Sequence, residues 1–226
     1  MTDTNRCQVC GRCVDACDLN LRELAGKEYT VEELLKELKK DEMFYEESGG
    51  GVTLSGGEVM LADMDDVENL AKGLYKAGIS VTIDTCGYAP YQNFERLLKY
   101  VDTFLYDIKM MDKEKHQRYV GVGNGEILSN LERISRNGAK IYIRIPVISG
   151  VNADRKSMED ILTYLVGKNI RVSQINLLPY HNTGISKYAR LGLIYPGEKF
   201  QTPGREQMEQ FADLFKEAGY KVKIGG

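Results

Sequence analysis

The sequence contains no tryptophan and no long apolar run. Among its 226 residues only 2 are histidine and 5 are proline. A helix that spans a membrane needs roughly 18 or more consecutive apolar residues, and no segment approaches that length. The opening residues, MTDTNRCQVC, are polar where a signal peptide would be apolar. We therefore expect no membrane association and a cytoplasmic location.

Clusters of basic residues are also missing. The 30 lysines and arginines are scattered along the chain, and 33 acidic residues give a formal net charge of −3. A nucleic-acid-binding face normally gathers positive charge on one surface. We expect no nucleic-acid partner. A hydrophobic content of 42% is enough for one main globular core with a small appendage.

Four of the 5 cysteines lie within the first seventeen residues. Cys7, Cys10, Cys13 and Cys17 have the spacing C-x2-C-x2-C-x3-C, and in a reducing compartment such crowding favours a metal over disulfides. Three thiolates of one tight loop can bind three corners of a [4Fe–4S] cluster, while the fourth cysteine of such a run can serve a second cluster. We predict that these four cysteines are metal ligands. A zinc site and incidental cysteines remain alternatives.

The rest of the chain alternates between strand-like and helix-like patterns. Thr30 and Glu33 form a capping-box pattern ahead of VEELLKELKK. Later helical segments end at Gly78 and Gly138, a last helix spans 205–218, and a strand-like YKVKI follows. The strand-like runs are 52–54, 79–83, 103–108, 140–148 and 174–178. This order predicts βαβ units and a parallel sheet, in an open or partial α/β barrel.

Polar residues follow the predicted strands, at the end where parallel α/β folds place their reactive groups. They are Ser55, Gly56, Gly57, Glu58, Asp84, Thr85, Cys86, Asp107, Lys109, Arg144 and His181. Taken singly, the glycines and Glu58 suit an ordinary turn, the aspartates suit helix caps, Lys109 and His181 suit a solvated loop, and Cys86 suits packing. Together they predict a site for a charged ligand.

Five ordered strings resemble the glycyl-radical-enzyme activating enzymes, the group that contains pyruvate formate-lyase activating enzyme. They are YEESGGGVTLSGGE, TIDTCGYA, DTFLYDIKMMDKEKHQRYVGVGN, YIRIPVISGVN and INLLPYHNTGISKY. The resemblance implies a partial (β/α)6 radical S-adenosylmethionine (SAM) barrel. It also implies that residues 1–28 are the remnant of a ferredoxin-like iron–sulfur insert and that residues 29–226 are a barrel without its first strand.

The resemblance also implies roles for individual residues. Gly56, Gly57 and Glu58 match the element that receives the SAM amino group. Asp84, Thr85, Asp107 and Lys109 match the group around the SAM carboxylate, where some members hold a monovalent cation between the two aspartates. His181 matches a histidine near the methionine and ribose of SAM. Residues 121–124, with His116 before them, match a stretch near the substrate glycyl loop.

The implied activity is that of a radical SAM oxidoreductase of the [formate-C-acetyltransferase]-activating-enzyme type. A reduced [4Fe–4S] cluster cleaves SAM, and the resulting 5′-deoxyadenosyl radical takes hydrogen from a backbone glycine of a glycyl radical enzyme. A flavodoxin or ferredoxin is the implied electron donor.

Two features depart from the family pattern. No C-x3-C-x2-C occurs in these 226 residues, and Val59 stands where a proline usually follows Gly-Gly-Glu. We expect an N-terminally truncated activating enzyme with compromised radical chemistry. The alternatives are a non-catalytic protein that binds SAM or the partner, and a one-cluster electron carrier.

Overall fold

Six parallel strands form one sheet in which each strand lies beside its neighbour in sequence, in the order β1 to β6. The computed structural model describes residues 6–24 and 26–225 of the chain. The strands are β1 (Gly51–Leu54), β2 (Ser80–Thr85), β3 (Thr103–Asp107), β4 (Ile141–Val147), β5 (Gln174–Pro179) and β6 (Val222–Ile224). Within the described residues β1 pairs only with β2 and β6 only with β5, so the sheet is an open, partial barrel.

Helices connect the strands and cover the sheet. They are α1 (Arg12–Asp15), α2 (Val31–Leu38), α3 (Glu42–Ser48), α4 (Met64–Lys76), α5 (Tyr91–Leu97), α6 (Lys113–Val120), α7 (Gly125–Arg136), α8 (Arg155–Gly167), α9 (Ile185–Arg190) and α10 (Arg205–Glu217). α4 packs on β2 and α5, while α10 packs on α8, β5 and β6. The predicted α/β class and the parallel sheet are confirmed.

The two faces of the sheet differ sharply in burial, because side chains alternate along a strand. One face carries the fully buried apolar side chains that pack against the helices, among them Val81, Ile83, Tyr106, Ile143 and Ile175. The opposite face carries half-buried polar residues, among them Thr82, Asp84, Asp107, Arg144 and Gln174. This second face is the surface on which a polar ligand can lie.

Helix α2 begins with the predicted capping box. Thr30 Oγ1 accepts a hydrogen bond from Glu33 N at 3.2 Å, and Glu33 Oε2 accepts one from Thr30 N at 2.9 Å. Two of the helix's free N–H groups are thereby satisfied. Leu35 of this helix lies so close to Gly73 of α4 that a methyl group at Gly73 would overlap its side chain. The absence of a side chain at Gly73 thus allows α2 to approach α4 closely.

The described residues ahead of α2 contribute no buried side chain. The hydrophobic core begins with the partly buried Val31 and Leu34 of α2 and continues through the last helix to the partly buried Val222 of β6. Among the described residues, no helix is both long enough and apolar enough to cross a membrane.

Candidate functional site

Arg144 lies between two aspartates at the carboxyl end of the sheet, on its polar face. The guanidinium donates from Nε to Asp107 Oδ1 at 2.9 Å and from Nη1 to Asp84 Oδ2 at 3.1 Å. Its Nη2 also donates to Asp84 Oδ1 and lies 2.8 Å from Asp107 Oδ1. The strand register explains this meeting, because Arg144 of β4 pairs directly with Asp107 of β3.

The same cluster includes Ser55 and Lys109. Ser55 Oγ donates to Asp84 Oδ2 at 3.0 Å, and Lys109 Nζ lies 3.7 Å from Asp107 Oδ2. We call Asp84, Asp107, Lys109 and Arg144 the strand-end ion cluster. Its charges balance, since two carboxylates face two cations.

Burial shapes the electrostatics of this cluster. It raises the pKa of Asp107 above its usual range, and the nearby charges of Arg144 and Lys109 offset that rise only in part. Burial lowers the pKa of Arg144, but the two aspartates outweigh it and leave that pKa raised. Arg144 is therefore a permanent cation at this edge of the sheet.

Glu58 joins the loop after β1 to the end of β2. Its Oε1 accepts from Thr85 Oγ1 at 2.7 Å and from Met60 N at 3.1 Å, and its Oε2 accepts from Cys86 N at 2.7 Å. A carboxylate has about four acceptor positions, so three such bonds leave room for one further donor. Glu58 thus fixes the geometry of the loop and still has capacity for a ligand ammonium group.

The two glycines before Glu58 border open space. Gly56 has a φ of 146°, and a Cβ at either Gly56 or Gly57 would meet nothing within 4 Å. A ligand can therefore approach this backbone closely. Gly87 differs, because its φ is +78° and a Cβ there would overlap the hydroxyl of Tyr106. The turn after β2 is accordingly held tightly against β3, which keeps Thr85 and Cys86 in place.

The two histidines of the chain have other hydrogen-bond partners. His181 is exposed, and its Nδ1 lies 2.7 Å from Thr183 Oγ1. His116 is buried at 2% exposure, and its Nδ1 lies 2.6 Å from the carbonyl of Val122. Its role near a substrate glycine stays a prediction, as does that of His181 near SAM.

Three of the four clustered cysteines share one cavity. Cys7, Cys10 and Cys13 line a space of about 410 Å³ together with Gly11 and Arg12. Cys17 is not among its lining residues, and its Sγ accepts a hydrogen bond from Leu21 N at 3.3 Å. In the described part of the chain, no three His, Cys, Asp or Glu side chains converge closely enough to hold a metal ion. The donor set suits an iron–sulfur cluster, and cluster binding stays a prediction.

Arg144 is one of the polar residues predicted at the strand ends, but the sequence predicted no role of its own for it. Its strand pattern offers one signal, because Ile141, Ile143, Ile145 and Val147 alternate around it and are fully buried. An arginine on the opposite face of such a strand must find an anion. Which anion it finds could not be deduced, because Asp84 lies 60 residues away in the chain.

Comparisons with known proteins identify the family of the chain. The Radical SAM superfamily model matches residues 4–165. The chain is 47% identical over 209 residues to the trans-4-hydroxy-L-proline dehydratase activating enzyme of Clostridioides difficile, covering 92% of this chain and 68% of the relative. It is 33% identical to the pyruvate formate-lyase 2-activating enzyme of Escherichia coli, covering 98% of this chain and 76% of the relative.

A solved structure gives the same result. A crystallised domain of pyruvate-formate lyase-activating enzyme from Bacteroides vulgatus superposes with a TM-score of 0.67 at 33% identity, covering 79% of this chain and all of that domain. The chain therefore belongs to the radical SAM superfamily and, within it, to the glycyl-radical-enzyme activating enzymes.

Proposed function

We propose that these 226 residues form the SAM-binding part of an activating enzyme that prepares a glycyl radical enzyme for catalysis. The observation that carries this proposal is the strand-end ion cluster, which lies beside the open Gly56–Gly57 backbone in a chain of this family. SAM carries an ammonium group and a carboxylate, and the site offers a partner for each. Glu58 retains an acceptor position for the ammonium group, while Lys109 and Arg144 are donors for the carboxylate.

When bound together, SAM and a reduced [4Fe–4S] cluster supply a 5′-deoxyadenosyl radical, the species that takes hydrogen from a glycine. The chain's own contribution is positioning and charge. Arg144 and Ser55 fix Asp84, and Thr85 and the Cys86 amide fix Glu58. Such pre-organised groups bind a charged ligand without further rearrangement.

We further propose that residues 1–28 form an iron–sulfur module distinct from the barrel of residues 29–226. Its support is the sulfur-lined cavity and the lack of buried side chains among the described residues ahead of α2. Because no C-x3-C-x2-C occurs in these residues, we propose that this chain alone binds SAM without cleaving it. A flavodoxin or ferredoxin remains our proposed electron donor for the complete reaction.

The comparisons suggest which partner to test first. The chain is 47% identical to the trans-4-hydroxy-L-proline dehydratase activating enzyme, 41% identical to the choline trimethylamine-lyase activating enzyme of Oleidesulfovibrio alaskensis, and 33% identical to the pyruvate formate-lyase 2-activating enzyme. We therefore propose a dehydratase related to trans-4-hydroxy-L-proline dehydratase as the partner. Co-purification of this chain with that dehydratase, and not with a pyruvate formate-lyase, would support the choice.

The decisive experiment separates SAM binding from SAM cleavage. The 226-residue chain is reconstituted anaerobically with iron and sulfide, titrated with SAM by calorimetry, and then reduced so that 5′-deoxyadenosine can be quantified. We expect saturable SAM binding, weakened about tenfold or more by Asp107→Asn, whose carboxylate is a member of the ion cluster. Asp213→Asn is the matched control, because Asp213 is an exposed residue of α10 that pairs with Lys216.

Two results would contradict the proposal. Absence of SAM binding would remove its basis. Formation of 5′-deoxyadenosine above that of a variant with Cys7, Cys10 and Cys13 all changed to Ala would show that these cysteines are catalytic.

A further inference from the structure

The charges of the strand-end ion cluster determine whether a metal cation can bind there. The family resemblance places a monovalent cation between two aspartates in some members, and the matching residues here are Asp84 and Asp107. Such a cation needs carboxylate oxygens that are free to bind it. In this chain the guanidinium of Arg144 lies between these two side chains.

All four carboxylate oxygens face a cation of the protein. Asp84 Oδ1 and Oδ2 accept from Nη2 and Nη1 of Arg144, and Asp107 Oδ1 accepts from its Nε. Asp107 Oδ2 lies 3.7 Å from Lys109 Nζ. The two negative charges are matched by two positive ones, so a further cation would find no net attraction. The pair does not fit a metal cation as it stands.

We infer that Arg144 takes the place of the monovalent cation, so that the positive charge between Asp84 and Asp107 is built into the protein. A guanidinium suits this position because it is planar, always charged and able to bind two carboxylates through separate N–H groups. Its register with Asp107 anchors it from the neighbouring strand. The side chains of Asp84, Asp107 and Arg144 are only 22%, 16% and 20% exposed, which limits competition from salt.

With the aspartates neutralised, this edge of the sheet presents no net negative charge to the carboxylate of SAM, and Lys109 and Arg144 keep N–H groups that can donate to it. This step rests on the proposed SAM-binding function, whereas the neutralisation itself does not. The two can therefore be tested separately.

The first test needs no ligand. The thermal unfolding midpoint of the chain is measured in potassium chloride, in sodium chloride, and in tetramethylammonium chloride at equal ionic strength, because tetramethylammonium is too large to bind between two carboxylates. We expect the wild-type midpoint to be the same in all three salts. A midpoint that rises specifically with potassium or sodium would overturn the inference, whether or not the chain binds SAM.

One variant should bind a cation that the wild type does not. Arg144→Met removes the guanidinium and leaves Asp84 and Asp107 beside Lys109 alone, so we expect a cation site to open. Binding at about ten times the dissociation constant raises the midpoint of a chain of this size by about 3–6 °C. A folded Arg144→Met chain with no such rise would also overturn the inference. If this variant does not fold, the wild-type measurement still decides.

The control variant is Arg96→Met. Arg96 also joins two carboxylates, with Nη2 lying 2.5 Å from Asp65 Oδ1 and Nε 2.7 Å from Glu68 Oε2, but on the exposed surface of the molecule. Removing it makes the same change in charge away from the site. We expect no cation-specific shift, because exposed carboxylates hold monovalent ions weakly.

SAM titrations form the second test. We expect the wild-type dissociation constant to change less than about twofold between the three salts. For Arg144→Met we expect SAM binding to be weaker by about tenfold or more in tetramethylammonium, and to recover in potassium. Wild-type binding that requires potassium would overturn the inference while leaving the proposed function intact. A complete lack of SAM binding would refute the proposed function, and the unfolding measurements would still decide the role of Arg144.

Discussion

Glu58 has a structural role that can be tested apart from its proposed role in ligand binding. It accepts hydrogen bonds from Met60 N, Thr85 Oγ1 and Cys86 N, which belong to two separate connections of the sheet. Glu58→Gln replaces one acceptor oxygen by an NH2 group that faces the existing donors. We expect a loss of about 1–3 kcal/mol in the free energy of unfolding, measured in urea, because partly buried donors lose their acceptor.

Glu159→Gln is the control for Glu58→Gln. Glu159 pairs with Arg155 on the surface of α8, where such pairs contribute little. We expect a change of less than about 0.5 kcal/mol. Equal effects of the two substitutions would show that Glu58 does not stabilise the junction between β1 and β2.

Cys86 gives a prediction about pH. Burial raises the pKa of its thiol above the ordinary value, and Glu58 adds to the rise. Since the raised pKa belongs to the folded state, the thiol contributes stability below its unfolded pKa, and this contribution is lost as pH rises through the folded pKa. The thiolate is also the form that reacts with alkylating agents.

We therefore expect Cys86 to be alkylated slowly by iodoacetamide near neutral pH in the metal-free folded chain. The rate should increase as the pH is raised past the ordinary thiol range, as followed by mass spectrometry of peptides. Cys7, Cys10 and Cys13 are exposed and serve as internal references. In urea the difference in alkylation rate between Cys86 and the exposed cysteines should disappear. A folded chain in which Cys86 reacts as fast as Cys10 would contradict the prediction.

At this scale the sequence predicted the residue types of the site better than their contacts. Glu58, Asp84, Asp107 and Lys109 follow strands that the hydrophobic pattern reveals, so their common edge could be deduced. The pairing of Arg144 with both aspartates depends on the order and register of β2, β3 and β4. Register is a property of the assembled sheet and leaves little trace in one strand.

Helix α2 tests whether a local signal stabilises a larger contact. Its capping box satisfies N–H groups at the start of a short helix whose Leu35 packs against Gly73 of α4. Thr30→Ala removes the side-chain acceptor, and we expect it to lower the free energy of unfolding by about 1 kcal/mol. Urea denaturation provides the measurement.

The control for Thr30→Ala is the same substitution inside a helix. Thr163 is exposed in the interior of α8, where alanine is the better helix former. Thr163→Ala should leave stability unchanged or raise it slightly. If both substitutions act alike, the capping box of α2 contributes nothing to the fold.

The strands were predicted more completely than the short helices, and the reason is physical. All five strand-like runs and YKVKI correspond to strands. The five runs were recognisable because buried strands of a parallel sheet are apolar and end in turn residues. The last helix, predicted over 205–218, is Arg205–Glu217 and precedes Gly219, whose φ is +90°. Short helices such as α5 and α9 were not identified, since 7 and 6 residues are too few to show a helical period.

Across the whole molecule, the two faces of the sheet differ in burial. The apolar face and its helices form the core, while the polar face gathers charge at the carboxyl ends of the strands. Charges there need not be buried in the core, yet they are shielded enough to interact strongly. Stability and the proposed ligand binding thus depend on opposite sides of the same strands.

The open sheet leads to a prediction about association. β1 pairs only with β2 among the described residues, and its sequence, Gly-Val-Thr-Leu, contains no charge. Natural edge strands are often protected by charged residues, as β6 is by Lys223. We expect the 226-residue chain to self-associate in a concentration-dependent manner through β1, as measured by sedimentation velocity.

A charge on this strand should reduce that association. Thr53 is exposed on β1, so Thr53→Lys places a lysine on the edge without disturbing the core, and we expect it to shift the chain toward monomer. Thr163→Lys adds the same charge on α8, remote from the edge strand, and separates a local effect from a general gain in solubility. Equal effects would indicate general solubility, and a monodisperse, cooperatively unfolding wild-type monomer would show that the β1 edge is already protected. Suppression by Thr53→Lys alone would identify β1 as the strand through which copies of this chain pair, because only that substitution changes the edge itself.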